Sequence, residues 1–170
     1  MDKKVAELLN AQINAELYSA YLYLDFANFY DEHSMDGFKS WFKKQAEEEM
    51  EHAMKFLEYM QLKGEKVTLE AIAKPDKPCK ELVDPLKYSV EHEKYVTSLI
   101  YTIYDAALEA KDFGTTHFLD WFVEEQNEEE DNAETNLAHF ERYGHEAKAL
   151  YALDGTMGER SSSSNETTEE

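Results

Sequence analysis

The chain has 170 residues, enough for one domain with a full core, and its six Gly and three Pro leave long stretches free to be helix. Seventeen basic residues against 37 acidic ones give a formal charge of −20, a surface that repels nucleic acid and anionic membrane and attracts cations. Cys79 is the one cysteine, which excludes an internal disulfide and favours a reducing compartment.

The spacing of apolar residues predicts a first helix over about 2–31, with Val5, Leu9, Gln12, Glu16, Ser19, Tyr23, Phe26 and Tyr30 on one face. His33, Ser34 and Asp36 suit a turn and a helix N-cap. The second helix, about 37–63, carries Phe38, Phe42, Ala46, Glu49, His52, Ala53, Phe56 and Met60 and ends at Gly64. Residues 64–83 hold Pro75, Pro78 and Cys79 and read as a long connection with at most a turn of helix. Asp84-Pro85 has the form of an N-cap and first helical residue. It opens a third helix over about 85–111 with Leu86, Val90, Glu93, Thr97, Ile100, Tyr104 and Ala107 inward. Thr115 or Thr116 caps a fourth, about 116–143, with Phe118, Phe122, Gln126, Glu129, Ala133, Leu137 and Phe140 inward, and 146–153 forms a short fifth. This bundle fills 1–154, and 155–170 reads as a mobile acidic, Ser-rich tail. The opening MDKKVAELLN has no apolar leader, and no run reaches the ~20 apolar residues of a membrane span. The expectation is a cytoplasmic protein with neither membrane nor nucleic acid as partner.

The connection decides the topology. A 28-residue helix is ~42 Å long, and twenty residues of extended chain reach ~65 Å. The connection can therefore travel the length of the bundle and join two antiparallel hairpins by one crossover. An internal repeat points the same way: at an offset of eighty, Trp41, Phe42, Glu48 and Glu49 match Trp121, Phe122, Glu128 and Glu129. Glu16-x-Tyr18 is echoed by Glu93-x-Tyr95.

Each helix thus places polar groups on its core stripe: Glu16, Glu49 with His52, Glu93, and Gln126 with Glu129. If the first hairpin pivots at Ser34, Glu16 and His52 stand level. A second pivot at Phe113 leaves Glu93 and Glu129 about one turn, ~6 Å, out of register. Four carboxylates gathered in a core cannot all be ionised without positive charge beside them, and no Lys or Arg lies on these stripes. Protons or bound cations must compensate, and carboxylates with one imidazole suit Fe, Mn or Zn, a bridging Glu readily holding two ions.

This set resembles the ferroxidase motif of prokaryotic non-haem ferritins, over the chain to about Leu153. The resemblance implies an all-α, ferritin-like four-helix bundle with one long crossover and a short fifth helix. In that likeness Glu16, Glu49 and His52 hold one Fe(II), Glu49, Glu93 and Gln126 hold a second, and Tyr23 stands beside them as an electron donor or hydrogen-bond partner. Glu48, Glu125, Glu128 and Glu129 match the ligands of an additional third iron site. The implied function is oxidation of Fe(II) by O2 or H2O2 and storage of the product as a ferric oxide mineral in a homo-oligomeric cage of 24 subunits. The competing function is that of a small-oligomer di-iron oxidase or peroxidase that stores no mineral. Gln126-x-x-Glu129 departs from the second Glu-x-x-His of bacterioferritins and di-iron oxygenases, and no haem is expected, Met50 being read as a core or interface packing residue. Glu47, Glu51, Glu124, Glu130 and Asp131 are read as solvated or cavity-facing, and His33, His92, His117, His139 and His145 as surface or packing residues.

Overall fold

The computed structural model describes residues 1–160. Among these the chain forms α1 (Lys3–Glu32), α2 (Asp36–Leu62), α3 (Asp84–Glu109), α4 (Phe113–Tyr143) and α5 (Ala147–Met157), with no strand. The fold is the four-helix bundle with a crossover and a short fifth helix: α1 packs on α2, α3 on α4, α1 on α3, and α5 lies against α2 and α4. No helix among the described residues is long and apolar enough to cross a membrane.

The crossover has no helix of its own over residues 65–80. It is laid along α1 by side chains that succeed one another up that helix. Asn10 exchanges two hydrogen bonds with the Thr68 backbone (3.0 and 2.8 Å), Asn14 donates to Ala71 O (3.2 Å), Tyr18 to Asp76 (3.0 Å) and Tyr30 to Leu82 O (2.7 Å). From Asn10 to Tyr30 this is ~30 Å of helix, so the connection does carry the chain from one end of the bundle to the other.

Three helix starts differ from the expectation. Asp36 and Asp84 are already helical, preceded by Met35 and Val83, which make no side-chain cap. The Asp84 carboxylate instead accepts from the Lys80 and Glu81 amides (2.8 and 2.9 Å), closing the turn before the helix. Neither Thr115 nor Thr116 caps α4: Asp112 does, accepting from Thr115 N at 3.1 Å. Asp112 also accepts from Thr115 Oγ1 at 2.8 Å, so that hydroxyl is taken up by the cap itself. At the other end α5 continues to Met157, past the expected boundary at 154. The expected mobile tail over 161–170 lies outside the described residues.

The two hairpin turns are equivalent. Ser34 and Lys111 occupy the left-handed region (φ 56° and 55°). Around the first, Ser34 N donates to Asp31 O (3.1 Å) and Met35 N to Tyr30 O (3.0 Å). Around the second, Lys111 N donates to Leu108 O (3.0 Å) and Asp112 N to Ala107 O (2.9 Å). This is the paired closure by which helices end on a left-handed residue. The second pivot is therefore Lys111 and not Phe113. Glu16 and His52 each lie eighteen residues from Ser34, and Glu93 and Glu129 eighteen from Lys111, so the expected mismatch of one turn vanishes.

The repeat accordingly runs at an offset of seventy-seven, the interval from Ser34 to Lys111, rather than eighty. It pairs Glu16 with Glu93, Glu49 with Gln126, His52 with Glu129 and Glu48 with Glu125. A slip of three residues is nearly a full turn and stays on one face, so both registers align similar residues.

Candidate metal centre

Two apolar clusters fill the bundle. One gathers Val5, Leu9, Ile13, Phe56, Met60, Ile100, Leu119 and Phe122. The other gathers Leu22, Phe26, Tyr30, Phe38, Phe42, Leu86, Phe140 and Leu153. Buried polar residues from all four long helices lie between them, among them Glu16, Glu49, His52, Glu93, Gln126 and Glu129, each 5% exposed or less.

The ligand atoms of these residues fall into overlapping triads, within each of which every atom is no more than 4.8 Å from the others: Glu16, Glu49 and His52; Glu49, Glu93 and Glu129; and His52, Glu125 and Glu129. Glu49 belongs to the first two, as a bridging carboxylate between two cations must. Glu16 has one carboxylate oxygen, Oε2, that is buried and hydrogen-bonded to nothing in the protein. A buried carboxylate oxygen without a donor is costly, and a cation in the first triad would satisfy it, so the residues present fit a metal.

The other oxygens are held in place. Gln12 donates to Glu16 Oε1 (2.8 Å) and Gln45 to Glu49 Oε1 (3.0 Å), each from four residues upstream on the same helix. Gln45 also donates to Glu129 Oε2 across the bundle (2.7 Å). On α3, Glu93 Oε1 accepts the hydroxyl proton of Tyr23 from α1, and Gln126 Nε2 of α4 lies 3.2 Å from Glu93 Oε2 and from Thr97 Oγ1. As placed, Gln126 positions Glu93 with its NH2 group; a half-turn of the amide would present its oxygen to a cation instead. The His52 ring sits edge-on to Trp121 and Phe122, at 5.5 and 6.0 Å, with Nδ1 3.4 Å from Glu49 and Nε2 3.6 Å from Glu125.

Burial governs the protonation of the centre. Burial first, and then the charge of Glu49, push Glu16 and Glu93 up to about 8. Burial and the charges of Glu93 and Glu49 raise Glu129 well above the carboxylate range. Burial acts against a charged His52, but hydrogen bonds to Glu125 and Glu49 and the charges of Glu49 and Glu16 outweigh it, taking the imidazole up to about 12. Burial likewise works against ionised Glu49, and the His52 and Gln45 partners overcome it and lower that carboxyl. Tyr23 is raised well above 10, by burial and then by Glu93 and Glu49, so it remains a phenol. These shifts favour a Glu49–His52 ion pair and push Glu16, Glu93 and Glu129 toward the protonated form at neutral pH.

Of the residues singled out from sequence, Glu16, Glu49, His52, Glu93, Gln126, Glu129 and Tyr23 meet here. Glu125 joins through His52, whereas Glu128 is exposed and belongs to none of the triads. Glu48 lies near enough for its charge to bear on Glu129, but its partner is Arg160. Met50 is 47% exposed, so it packs no core in this chain. Glu130 is half-buried, not simply solvated: it accepts from Thr97 Oγ1 at 2.6 Å. His92 is a packing residue, buried at 2.7 Å from Ser19 Oγ and edge-on to Tyr23.

Sequence reasoning missed Gln12 and Gln45 as positioning residues and Arg160 altogether. The first two carried a usable signal, an amide four residues ahead of a core glutamate in both α1 and α2. Arg160 carried none, because it sits at the edge of a Ser-rich segment far from the bundle in sequence.

Fold and centre together define a class: four-helix bundles whose core gathers carboxylates and a histidine that could hold metal ions. Residues 6–143 match the ferritin-like domain family. Bacterial non-heme ferritin of Staphylococcus aureus (strain USA300) is 33% identical over 160 residues, covering 94% of this chain and 96% of that protein. The Staphylococcus epidermidis protein of the same description is 33% identical over 161 residues, covering 95% and 97%. Among solved structures, an open pore ferritin from the archaeon Archaeoglobus fulgidus superposes with a TM-score of 0.92 at 37% identity, covering 95% of this chain and 98% of that one. A humanized archaeal ferritin gives 0.92 at 38% identity with the same coverage. The chain belongs to the ferritin family, whose members handle iron.

Proposed function

We propose that the protein takes up Fe(II), oxidises it at the bundle centre with O2 or H2O2, and stores the product as a ferric oxide mineral inside a homo-oligomeric cage, a 24-mer in the cytoplasm. The observation that carries this reading is Glu49 shared between the Glu16–Glu49–His52 and Glu49–Glu93–Glu129 triads. A shared carboxylate holds two like cations close enough to give up electrons to one oxidant together.

Fe(II) is the substrate. One ion is taken by Glu16, Glu49 and His52, and a second by Glu49 and Glu93 with Gln126 and Glu129. Each replaces protons that the apo centre holds, which the carboxyls raised to about 8 release on binding. Two Fe(II) give one electron each to O2, which with two protons leaves as hydrogen peroxide. Hydrolysis of Fe(III) to oxyhydroxide then releases three protons per iron. Glu49 and Glu93 hold the ions, Gln12 and Gln45 fix carboxylate orientation, and Tyr23 hydrogen-bonds Glu93 while the apolar clusters on either side exclude bulk water. Glu125 and Glu129 with Glu48 form the accessory third site, and Glu128, exposed, serves at most as a relay toward it.

The test is size-exclusion chromatography with in-line iron detection after a large excess of Fe(II) in air. Iron co-eluting with a particle of several hundred kilodaltons, far above the ~2–3 ions that the core ligands can hold, is the expected result. Two or three irons per chain on a small species would replace storage with a di-iron oxidase.

A further inference from the structure

The C-terminal end of α5 delivers a cation to the rim of the centre. Gly37 at the start of α2 lies so close to Asp154 that an added Cβ would stand 1.6 Å from its carbonyl oxygen, and Phe38 N donates to Asp154 Oδ1 at 3.0 Å. These contacts fix α5 on α2. Gly158 N and Glu159 N close the helix end onto Asp154 O and Thr156 O, each at 3.1 Å. Arg160 follows at once. Its guanidinium stacks on the Trp41 ring at 4.4 Å, donates to Gln45 Oε1 at 2.9 Å and to Trp41 O at 3.4 Å, and pairs with Glu48. Only 18% of the Arg160 side chain and 15% of that of Glu48 are exposed. The fork, the stack and the amide together make a built seat and not a chance surface pair.

Pseudo-symmetry shows what this seat replaces. Glu48 and Glu125 are equivalent positions in the two hairpins. Glu125 faces His52 and shares a triad with Glu129. Glu48 faces Arg160, and Gln45, which accepts from Arg160, donates in turn to Glu49 and Glu129.

We propose that Arg160 is a built-in, displaceable counter-cation of the third iron site: it occupies Glu48 while that site is empty, lowers the site's affinity, and leaves when a third ion takes the carboxylate. The inference rests on the proposed function above. A guanidinium and a metal ion cannot share one carboxylate edge, so the third ion must compete with a charge-assisted pair that the first two ions never meet. Arg160 thereby becomes a positioning residue that separates holding the first two ions from passing iron onward through Glu48.

The test is equilibrium dialysis of the full chain against Zn(II), which takes the same carboxylate and imidazole donors without redox chemistry. The proteins are the unmodified chain, R160Q, R160K, E48Q and E48Q/R160Q. R160Q is expected to bind the first two ions within about two-fold of the unmodified chain and the third about ten-fold more tightly. R160K falls between, keeping the charge and losing the fork, and E48Q/R160Q shows no gain over E48Q. An unchanged or weaker third ion in R160Q, or a gain that survives loss of Glu48, overturns the proposal. If the unmodified chain fails to take two Zn(II), it is the di-metal reading that falls, and that result is distinct from failure at the third ion alone.

Discussion

The two hairpins share turns, register and helix pairing, yet they solve the same electrostatic problem differently. In α1–α2 the core carries Glu16, Glu49 and His52, and the imidazole, held protonated up to about 12, neutralises Glu49 inside the protein. In α3–α4 the equivalent places hold Glu93, Gln126 and Glu129, with no cationic residue among them. That half stays neutral by an amide at Gln126 and by protons on its carboxyls, whose ordinary range burial has lifted. The support differs as well. Gln12 and Gln45 orient the first hairpin's glutamates from within their own helices, whereas the equivalent positions in the second are Ser89 and Phe122, and Ser89 spends its hydroxyl on Pro85 O at 2.7 Å. The second half borrows instead from the first, taking Tyr23 for Glu93 and Gln45 for Glu129. The lesson is that one half is preorganised for a cation while the other is kept neutral and loosely committed. That division suits a site proposed to bind two ions and then let them go.

The sharpest break in this comparison is Glu49, which belongs to both halves. In Zn(II) dialysis, Glu49→Ala is expected to weaken both of the first two ions, each by about 100-fold or more. Glu16→Gln weakens only the first ion and Glu93→Gln only the second. Equal loss of both ions in Glu16→Gln would show that the halves do not bind separately.

Protonation gives the next largest effect. Glu16 and Glu93 rise from 4.5 to about 8 on folding, so the folded apo protein binds more protons than the unfolded chain between those values. Their contribution to stability is complete below about pH 4.5 and is lost as pH rises through about 8. His52, raised from 6.5 to about 12, acts in the same direction above pH 6.5. Calorimetry of the metal-free protein should therefore show a Tm lower by about 10 °C at about pH 9 than at about pH 6. Glu16→Gln and Glu93→Gln should each remove a similar part of that fall. Saturating Zn(II) should reverse its sign, because metal replaces the protons most easily at high pH. A Tm of the apo protein that climbs from pH 6 to pH 9 would mean that the centre is not held protonated.

Making the halves alike tests whether their difference has a use. Gln126→Glu with Glu129→His copies Glu49-x-x-His52 into α4. The second Zn(II) should then bind about ten-fold more tightly, and after aerobic loading Fe(III) should leave the centre more slowly than in the unmodified chain. Unchanged Fe(III) departure would remove the functional argument for a neutral Gln126.

Most of this arrangement was legible in the chain. Helical period, core-facing Glu16, Glu49, His52, Glu93, Gln126 and Glu129, and the long crossover follow from spacing and from reach, both of which are local or additive properties of sequence. What failed was finer. Helix starts moved because Asp112 and Asp84 chose among several amides within reach, a competition that sequence pattern does not rank. An offset of eighty aligns Trp41 with Trp121, and a slip of three from the true offset keeps a residue on its face. The turn residues set the true register, and Lys111, which is not glycine, gives no sign in sequence that it takes φ near +55°. Arg160 was invisible because its position depends on the docking of Gly37 against Asp154, a contact between distant segments.

Those two turn residues yield the smallest prediction and the most direct check on the register. Each places an L side chain in the left-handed region, where Cβ crowds the following carbonyl and glycine does not. Ser34→Gly and Lys111→Gly relieve that crowding but enlarge the freedom of the unfolded chain, so each should raise stability by only about 0.5–1 kcal/mol, read as Tm by calorimetry. The two backbones close with the same pair of hydrogen bonds, so the gains should agree although serine and lysine have little else in common. A gain at Ser34 with a loss at Lys111 would mean that the second hairpin pivots elsewhere. Glu93 and Glu129 would then return to different heights, and the shared Glu49 could no longer be level with partners from both halves.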